Sequence, residues 1–324
     1  MTQRNWVNYR PDIKILDCTI RDGGLINDHF FEDNVVQAVY DACVAGGVDY
    51  IEFGYKGSRK IFTGDKFGSW KFCDEDDLRR VVERNPAPIS IAVMADAGRT
   101  DYHTDILPRE QSAIDCIRVA CYIHQIPLAL DMIKDAVDKG YETMMQLMAV
   151  STVSESELRA ALESAAQSEA EAVYLVDSFG ALYPEQVRDL TRMYLEMVKG
   201  TGKEVGFHAH NNQQLAFANT IEAIVNGANR LDATMSGIGR GAGNCPLELL
   251  IGFLHNPKFW IRPILECVRD VFVPMRNEME WGYNICYAVT GQLNQHPREA
   301  IEWLRGQTPD DYVAFYDRIT EEDS

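Results

Sequence analysis

The segment Gly206-Phe207-His208-Ala209-His210-Asn211-Asn212 sets two histidines one residue apart at the end of a short apolar run, residues 205–207. On a β-strand alternate side chains share a face, so His208 and His210 point the same way. Two imidazoles converging on one spot are half of a divalent-metal site. Two ordinary histidines at a strand end would look the same, and the metal reading gains weight from two distant segments. Thr19-Ile20-Arg21-Asp22-Gly23-Gly24 supplies a carboxylate, Asp22. Gly237-Ile238-Gly239-Arg240-Gly241-Ala242-Gly243-Asn244 supplies a carboxamide, Asn244. Two neutral imidazoles with one carboxylate suit Mn, Fe, Zn or Co, and Mg where water completes the shell. Arg21 precedes Asp22, and a fixed guanidinium beside a divalent ion suits an enolate oxygen, where negative charge develops. A strand-end arginine in a structural ion pair is the plainer alternative.

Three further segments admit two readings each. The alternating glycines at 237, 239, 241 and 243 fit a loop that cradles an anion or moves over a site, and equally a tight strand-to-helix connection. Lys56-Gly57-Ser58-Arg59-Lys60 is a basic patch in an acidic chain, fit for a substrate carboxylate or phosphate or simply a solvated loop. Asp177-Ser178 offers either a hydroxyl to a carboxylate or a cap for the turn that follows.

The elements that must position these residues are short β-rich runs at 13–18, 50–53, 89–94, 116–121, 143–150, 172–176, 204–208 and 230–234. Helical patterns at 34–45, 75–84, 126–139, 155–168, 184–199 and 213–226 lie between most of them. Ser154 with Glu157 reads as a capping box, Pro184 as a first-turn proline, and Gly46-Gly47, Gly140, Gly200 and Gly227 as helix ends. Eight strands alternating with helices predict a (β/α)8 TIM barrel. A doubly wound sheet would place a G-x-G-x-x-G turn after its first strand, and Asp17-Cys18-Thr19-Ile20-Arg21-Asp22 is not one. In a TIM barrel the strand C-termini form one face, which gathers Asp22, His208, His210 and Asn244. The alternation stops near residue 256, so we divide the chain into a barrel, residues 12–255, and a C-terminal helical appendage, residues 256–324, whose last residues fray.

Composition narrows the function classes. Lys plus Arg number 31 against 49 Asp plus Glu, a net charge of −18, which argues against nucleic acid or an anionic membrane as partner. The eight cysteines form no C-x-x-C pair and fit reduced thiols in a cytoplasmic protein. Residues 1–11 lack the apolar core of a secretory signal, and no run approaches the roughly 20 apolar residues of a membrane helix.

With these residues in place, Leu16-Asp17-Cys18-Thr19-Ile20-Arg21-Asp22-Gly23 resembles the D-x-T-[LI]-R-D-G signature of the DRE-TIM metallolyases. That superfamily includes hydroxymethylglutaryl-CoA (HMG-CoA) lyase, isopropylmalate and homocitrate synthases, and 4-hydroxy-2-oxovalerate aldolase. The resemblance continues at Ile51-Glu52-Phe53-Gly54, Asp177-Ser178-Phe179-Gly180, the histidine segment and 237–248, spanning roughly residues 13 to 255. Gly241-Ala242-Gly243-Asn244-Cys245-Pro246-Leu247-Glu248, Ala218-Asn219-Thr220 and Trp281-Gly282-Tyr283-Asn284-Ile285-Cys286-Tyr287 are most similar to the aldolase branch. The resemblance implies Asp22, His208 and His210 as metal ligands with Asn244 as a fourth. It implies Arg21 as enolate stabiliser, Glu52 and Ser178 as substrate contacts, and Tyr287 as a residue orienting the substrate. One departure stands out. The aldolase branch carries a histidine base three residues after the motif aspartate, and this chain has Leu25 there. The synthase branch has Glu-Gln after the glycine, where this chain has Gly24-Leu25. The proton carrier must therefore be another group; His29 is the candidate, with Tyr55 and Tyr287 behind it.

The expected activity is a divalent-metal-dependent aldolase or lyase that makes or breaks a carbon–carbon bond next to a 2-oxo acid through a pyruvate-like enolate. Mn2+ is the first choice of metal, with Mg2+, Zn2+ or Co2+ as alternatives. A Claisen-type enzyme joining an acyl-CoA to a 2-oxo acid and a non-catalytic family member are the competing readings. The expected partners are a small 2-oxo acid, an aldehyde and a second copy of the chain, with an aldehyde dehydrogenase as a weaker suggestion.

Overall fold

The computed structural model describes residues 12–321, so the expectations for the N-terminal stretch and the last three residues lie outside the described residues. Eight strands run β1 (Lys14–Asp17), β2 (Tyr50–Tyr55), β3 (Ser90–Asp96), β4 (Cys116–Cys121), β5 (Glu142–Leu147), β6 (Ala172–Asp177), β7 (Glu204–Ala209) and β8 (Arg230–Ala233). They pair in chain order, all parallel, and close into a barrel where Lys14 faces Arg230 and Leu16 faces Asp232. Parallel neighbours need crossovers, and helices such as Asp33–Gly46, Ile126–Asp138, Glu155–Gln167 and Pro184–Met197 supply them. This is the TIM barrel that the strand and helix spacing predicts.

Every strand is buried on both faces, and the period of two divides its residues between two cores. Ile51, Phe53, Ile91, Val93, Ile117, Val119, Val173 and Leu175 point outward against the helices. Leu16, Tyr50, Ala92, Cys116, Met144, Ala172 and Tyr174 fill the barrel interior. A Cβ at Gly206 would lie 2.5 Å from the Tyr174 ring, so glycine there makes room for that ring in the barrel interior. One step further along the strands the inward positions turn polar: Glu52, Arg118, Gln146, His208 and Asp232. The site stands on this layer.

Local signals explain most boundaries. Ser154 Oγ accepts from Glu157 N at 3.3 Å while the Glu157 carboxylate accepts from Ser154 N at 3.0 Å, the reciprocal capping box. Gly227 ends its helix at φ +113°, a conformation natural to glycine. Two elements fall three residues short of their patterns at one end. β5 stops at Leu147 because Ala149 turns left-handed, φ +53°, into the single turn Val150–Thr152. The helix expected from 213 begins at Ala216, where the Asn211 carboxamide oxygen accepts from Ala216 N at 3.1 Å and Gln214 is left-handed at φ +61°.

The C-terminal segment is helical, with Ile261–Cys267, Ile285–Gln292, Arg298–Leu304 and Tyr312–Glu321 as its main helices. The first packs on the barrel helix Asp33–Gly46, where the bare Gly46 admits Ile264. Cys286, Ala300, Phe315 and Ile319 form a small core of their own. The helix Ile285–Gln292 docks through Gly291 onto Asn212 and Gly180 at the barrel mouth, so the segment reaches the site. All eight cysteines are buried and free. Among the described residues no helix is long and apolar enough to cross a membrane.

Candidate active site

Asp22 sits in a helical turn, Thr19–Gly23, directly after β1. The motif's first aspartate builds that turn: the Asp17 carboxylate accepts from Thr19 N at 3.1 Å and Thr19 Oγ1 at 2.6 Å. Thr19 Oγ1 in turn accepts from Met235 N at 2.8 Å, tying the turn to the segment after β8. β7 delivers His208 and His210. Ligand atoms of Asp22, His208 and His210 all lie within 4.8 Å of one another, with His210 Nε2 3.8 Å from Asp22 Oδ2.

The imidazoles are oriented from behind. His208 Nδ1 bonds to Asp232 Oδ2 at 3.0 Å, and His210 Nδ1 to the Asp177 carbonyl at 3.0 Å. Each Nδ1 therefore carries the proton and each Nε2 keeps its lone pair for the site. His208 Nε2 is buried with no hydrogen-bond partner, as is Asn244 Oδ1. Burial pushes His210 down to about 3, so it is neutral. Burial alone would raise the Asp22 carboxyl, but the Arg21 guanidinium and the hydrogen bond from Asn244 hold it well below the usual range. Asn244 Nδ2 donates to Asp22 Oδ2 and to the Ile238 carbonyl at 3.0 Å.

Beneath lies a charge network. Arg21 donates through Nε to Glu52 at 2.7 Å and through Nη1 to Asp22 at 2.8 Å. Arg118 donates through Nη1 to Glu52 at 2.7 Å and through Nη2 to Gln146 at 3.0 Å and to Asp232. Two guanidiniums thus face three carboxylates, all buried, with the two imidazoles between. A carboxylate beside two imidazoles, one of them with an unpartnered buried nitrogen, fits a divalent cation held by Asp22, His208 and His210. A second grouping, Cys18–His208–Asp232, does not compete, because His208 Nδ1 already bonds Asp232 and burial keeps the Cys18 thiol protonated.

Above the ligands opens a cavity of about 370 Å3. Arg21 and Ser178 line it. Ser178 Oγ accepts from Ala149 N at 2.8 Å, which leaves its proton to donate into the cavity. Its neighbour Asp177 does the capping, accepting from Ala181 N at 2.9 Å. The glycine loop is a tight connection: a Cβ at Gly243 would stand 2.0 Å from the Gly237 carbonyl, and one at Gly239 would stand 2.6 Å from Asp22 Oδ2. The loop aims Arg240 into the cavity, where Nη2 donates to the Ser178 carbonyl at 3.0 Å and Nη1 to His296 Nε2 at 3.0 Å.

Three expected residues fall elsewhere. Glu52 is fully buried under Arg21 and Arg118 and does not line the cavity, so it positions guanidiniums rather than touching substrate. His29 is buried behind the wall, where a Cβ on Gly24 would come within 2.2 Å of its Nδ1. Burial, with Lys71 and Arg21 nearby, pushes His29 down to about 3, and Tyr55, edge-on at 5.3 Å, stands between it and the cavity. Tyr287 packs against Gly241 and supports the glycine loop from outside. The basic patch is also spent internally: Lys56 donates to the Cys73 carbonyl at 2.8 Å, Arg59 pairs with Asp74 and Lys60 with Asp101.

Residue-level reading missed Arg118, Gln146 and Asp232 below the ligands, and Lys71, Asp96, Arg99 and His296 on the cavity wall. A signal for the first group was present. An arginine inside Cys-Ile-Arg-Val-Ala-Cys and an aspartate inside Arg-Leu-Asp-Ala are charges in runs that must be buried. Apart from Asp96, which ends β3, the wall residues come from turns and loops, whose side-chain direction follows no period.

A TIM barrel with a carboxylate–bis-imidazole cluster at its strand C-termini defines a metal-site barrel enzyme class. The comparisons narrow it. The HMGL-like family profile matches residues 12–267, and the chain belongs to that family. It is 33% identical over 247 residues to an oxaloacetate decarboxylase from Mycobacterium tuberculosis, covering 75% of this chain and 70% of that protein. It is 31% identical over 261 residues to a 4-hydroxy-2-oxovalerate aldolase from Pelotomaculum thermopropionicum, covering 80% and 75%. Among solved structures, the N-terminal domain of a protein named as a candidate aldolase from Bacteroides vulgatus superposes with a TM-score of 0.77 at 28% identity, covering 93% of this chain and all of that one.

Proposed function

We propose that this protein is a divalent-metal-dependent carbon–carbon lyase of the oxo-acid aldolase type, making or breaking the bond next to a 2-oxo acid through a pyruvate-like enolate. The observation that carries this is the convergence of Asp22, His208 and His210 with Arg21 beside them at the floor of one cavity. Relatives named as aldolases and as a decarboxylase of a 2-oxo acid support it. When bound by Asp22, His208 and His210, with Asn244 beside them, the metal supplies Lewis acidity to the carboxylate and keto oxygens of the oxo acid. Mn2+ is our first choice.

The chain's own residues do the rest. Arg21 spends Nε and Nη1 on Glu52 and Asp22, which leaves Nη2 to hold the oxygen that gains charge in the enolate. Burial works against the Arg21 charge, and the Glu52 and Asp22 carboxylates more than restore it. Ser178 donates its hydroxyl to the substrate carboxylate. With His29 off the wall, the proton of the aldol hydroxyl falls to Asp96 at the end of β3. Asp96 lines the cavity with no side-chain hydrogen bond among the described residues, and burial raises its pKa, which makes the carboxylate a stronger base.

Decarboxylation of an oxaloacetate-like acid would pass through the same enolate, and the Mycobacterium relative favours it as a second reading. A homodimer fits the exposed Trp260, Val273, Tyr283 and Val313 on the C-terminal segment. An aldehyde dehydrogenase partner and a cytoplasmic location complete the proposal. The test is deuterium exchange into the methyl group of pyruvate in D2O by the metal-loaded protein, followed by NMR. Exchange that Arg21→Ala abolishes while metal is retained supports the enolate; no exchange with Mn2+ or Mg2+ bound removes pyruvate as the nucleophile. Release of CoA from an acyl-CoA with a 2-oxo acid would instead favour the Claisen reading.

A further inference from the structure

The wall of the cavity away from the proposed ligands is cationic in a chain of net charge −18. Lys71 is only 5% exposed, yet among the described residues its ammonium has no hydrogen-bond acceptor and no ion pair; its neighbours are the Tyr55 and Phe62 rings, each 4.1 Å from Nζ. The ammonium is not sealed in protein but opens onto the cavity, where an anion could take the place an acceptor would fill. The position is built. Lys71 N donates to the Gly68 carbonyl at 3.0 Å and the Lys71 carbonyl accepts from Gly57 N at 2.9 Å, pinning the side chain's root. Arg99, after β3, lines the same wall, and its carbonyl accepts from Ser58 N at 2.9 Å, while among the described residues its guanidinium has no acceptor. Arg298, from the C-terminal segment, also lines the cavity, and its guanidinium has no acceptor among the described residues. Asp96 is the carboxylate facing Lys71 and Arg99, and it forms an ion pair with neither.

We propose that Lys71 and Arg99 bind a second anionic group on the substrate, a carboxylate or phosphate carried by the fragment that is added to or released from the 2-oxo acid. The acceptor is then a charged aldehyde rather than a small neutral one. This rests on the oxo-acid lyase reading for its chemistry, although the anion site itself does not. Two cations with donors to spare match the two oxygens of a carboxylate or the three of a phosphate.

The test pairs catalysis with binding. Metal-loaded wild type, Lys71→Met and Arg99→Gln are assayed with pyruvate and one of three aldehydes: propionaldehyde, succinic semialdehyde or glycolaldehyde phosphate. We expect one charged aldehyde to exceed propionaldehyde in kcat/KM by about 10- to 100-fold, and each variant to remove most of that preference. Whichever charged aldehyde wins distinguishes carboxylate from phosphate. Calorimetric titration with succinate and with inorganic phosphate should show binding of the same class to wild type and its loss in both variants. Equal or better use of propionaldehyde, or a preference that survives both variants, overturns the proposal. Arg99 is exposed, so Arg99→Gln decides the matter if Lys71→Met does not fold. If pyruvate fails to exchange in wild type while the variants still abolish anion binding, the aldolase reading falls and the anion site stands.

Discussion

Asp232→Asn isolates what the buried charge behind His208 contributes to metal binding. Asp232 Oδ2 accepts from His208 Nδ1 at 3.0 Å and from Arg118, while Oδ1 has no partner. An asparagine can place its carbonyl oxygen where Oδ2 stands, so both hydrogen bonds survive and the negative charge is what disappears. The imidazole loses the anion that raises its basicity. Loss of such a supporting carboxylate weakens metal binding by about 10- to 100-fold, or about 1.4–2.7 kcal/mol. The fold should persist, because Arg118 keeps Glu52 and Gln146. Asp232→Ala should differ in kind, since it also strips a buried guanidinium of a partner and should cost about 3–5 kcal/mol of stability. The assay is competition for Mn2+ or Zn2+ against a chromophoric chelator, beside thermal melting of the metal-free protein. Wild-type affinity in Asp232→Asn, or a loss that merely tracks the melting temperature, would refute the reasoning.

Gly239→Ala should weaken metal binding with little change in melting, because the new Cβ would stand 2.1 Å from Asn244 Nδ2 and 2.6 Å from Asp22 Oδ2; chelator competition checks it. His29→Ala should lower stability by about 2–4 kcal/mol through lost packing yet leave the pH profile of kcat in place, whereas Asp96→Asn should lower kcat by about 10²- to 10⁴-fold and erase its acid limb; pH–rate profiles of the two variants separate the roles. Preference for a charged acceptor should fade as pH rises through about 8, where burial places the Lys71 ammonium, with Asp96, Arg99 and Tyr55 around it. The sign on stability is opposite: between about 8 and the ordinary 10.5 the unfolded chain binds the extra proton, so this group's burden on the fold lifts as pH rises. Calorimetric melting of wild type against Lys71→Met across that range reads it.

The barrel was legible because its signals are periodic. Strands such as Cys116–Cys121 and Ala172–Val176 repeat apolar residues that must be buried on both faces, and the helices between them end at glycines with left-handed φ. His208 and His210 were legible for the same reason, since period two forces them to one side. The rest of the site lay beyond that logic. His29 looked like a base from its place after the motif. Consecutive left-handed residues Asp28 and His29 instead fold it back beneath Gly24, and only tertiary packing reveals that. Lys71 reaches the cavity from a turn between β2 and the helix Glu75–Val82, and no spacing rule links a turn lysine to a strand-end aspartate twenty-five residues away, Asp96. The Lys56–Lys60 patch stayed undecided between substrate binding and a plain loop because charge density on paper says nothing about which carboxylates stand opposite.

The buried layer under the ligands orders the events above it. Arg21 and Arg118 pair with Glu52, Asp22 and Asp232 beneath the two imidazoles, so an anion arriving from the cavity meets the Asp22 carboxylate beside them. A 2-oxo acid brings its own carboxylate, which the Asp22 charge repels. A divalent cation reverses the sign, and the carboxylate then restores balance. Cation and oxo acid therefore bind as coupled ligands: each should tighten the other by the same factor, since coupling between two sites is reciprocal. Lys71 and Arg99 lie on the wall, outside this balance, and their charge awaits a different anion.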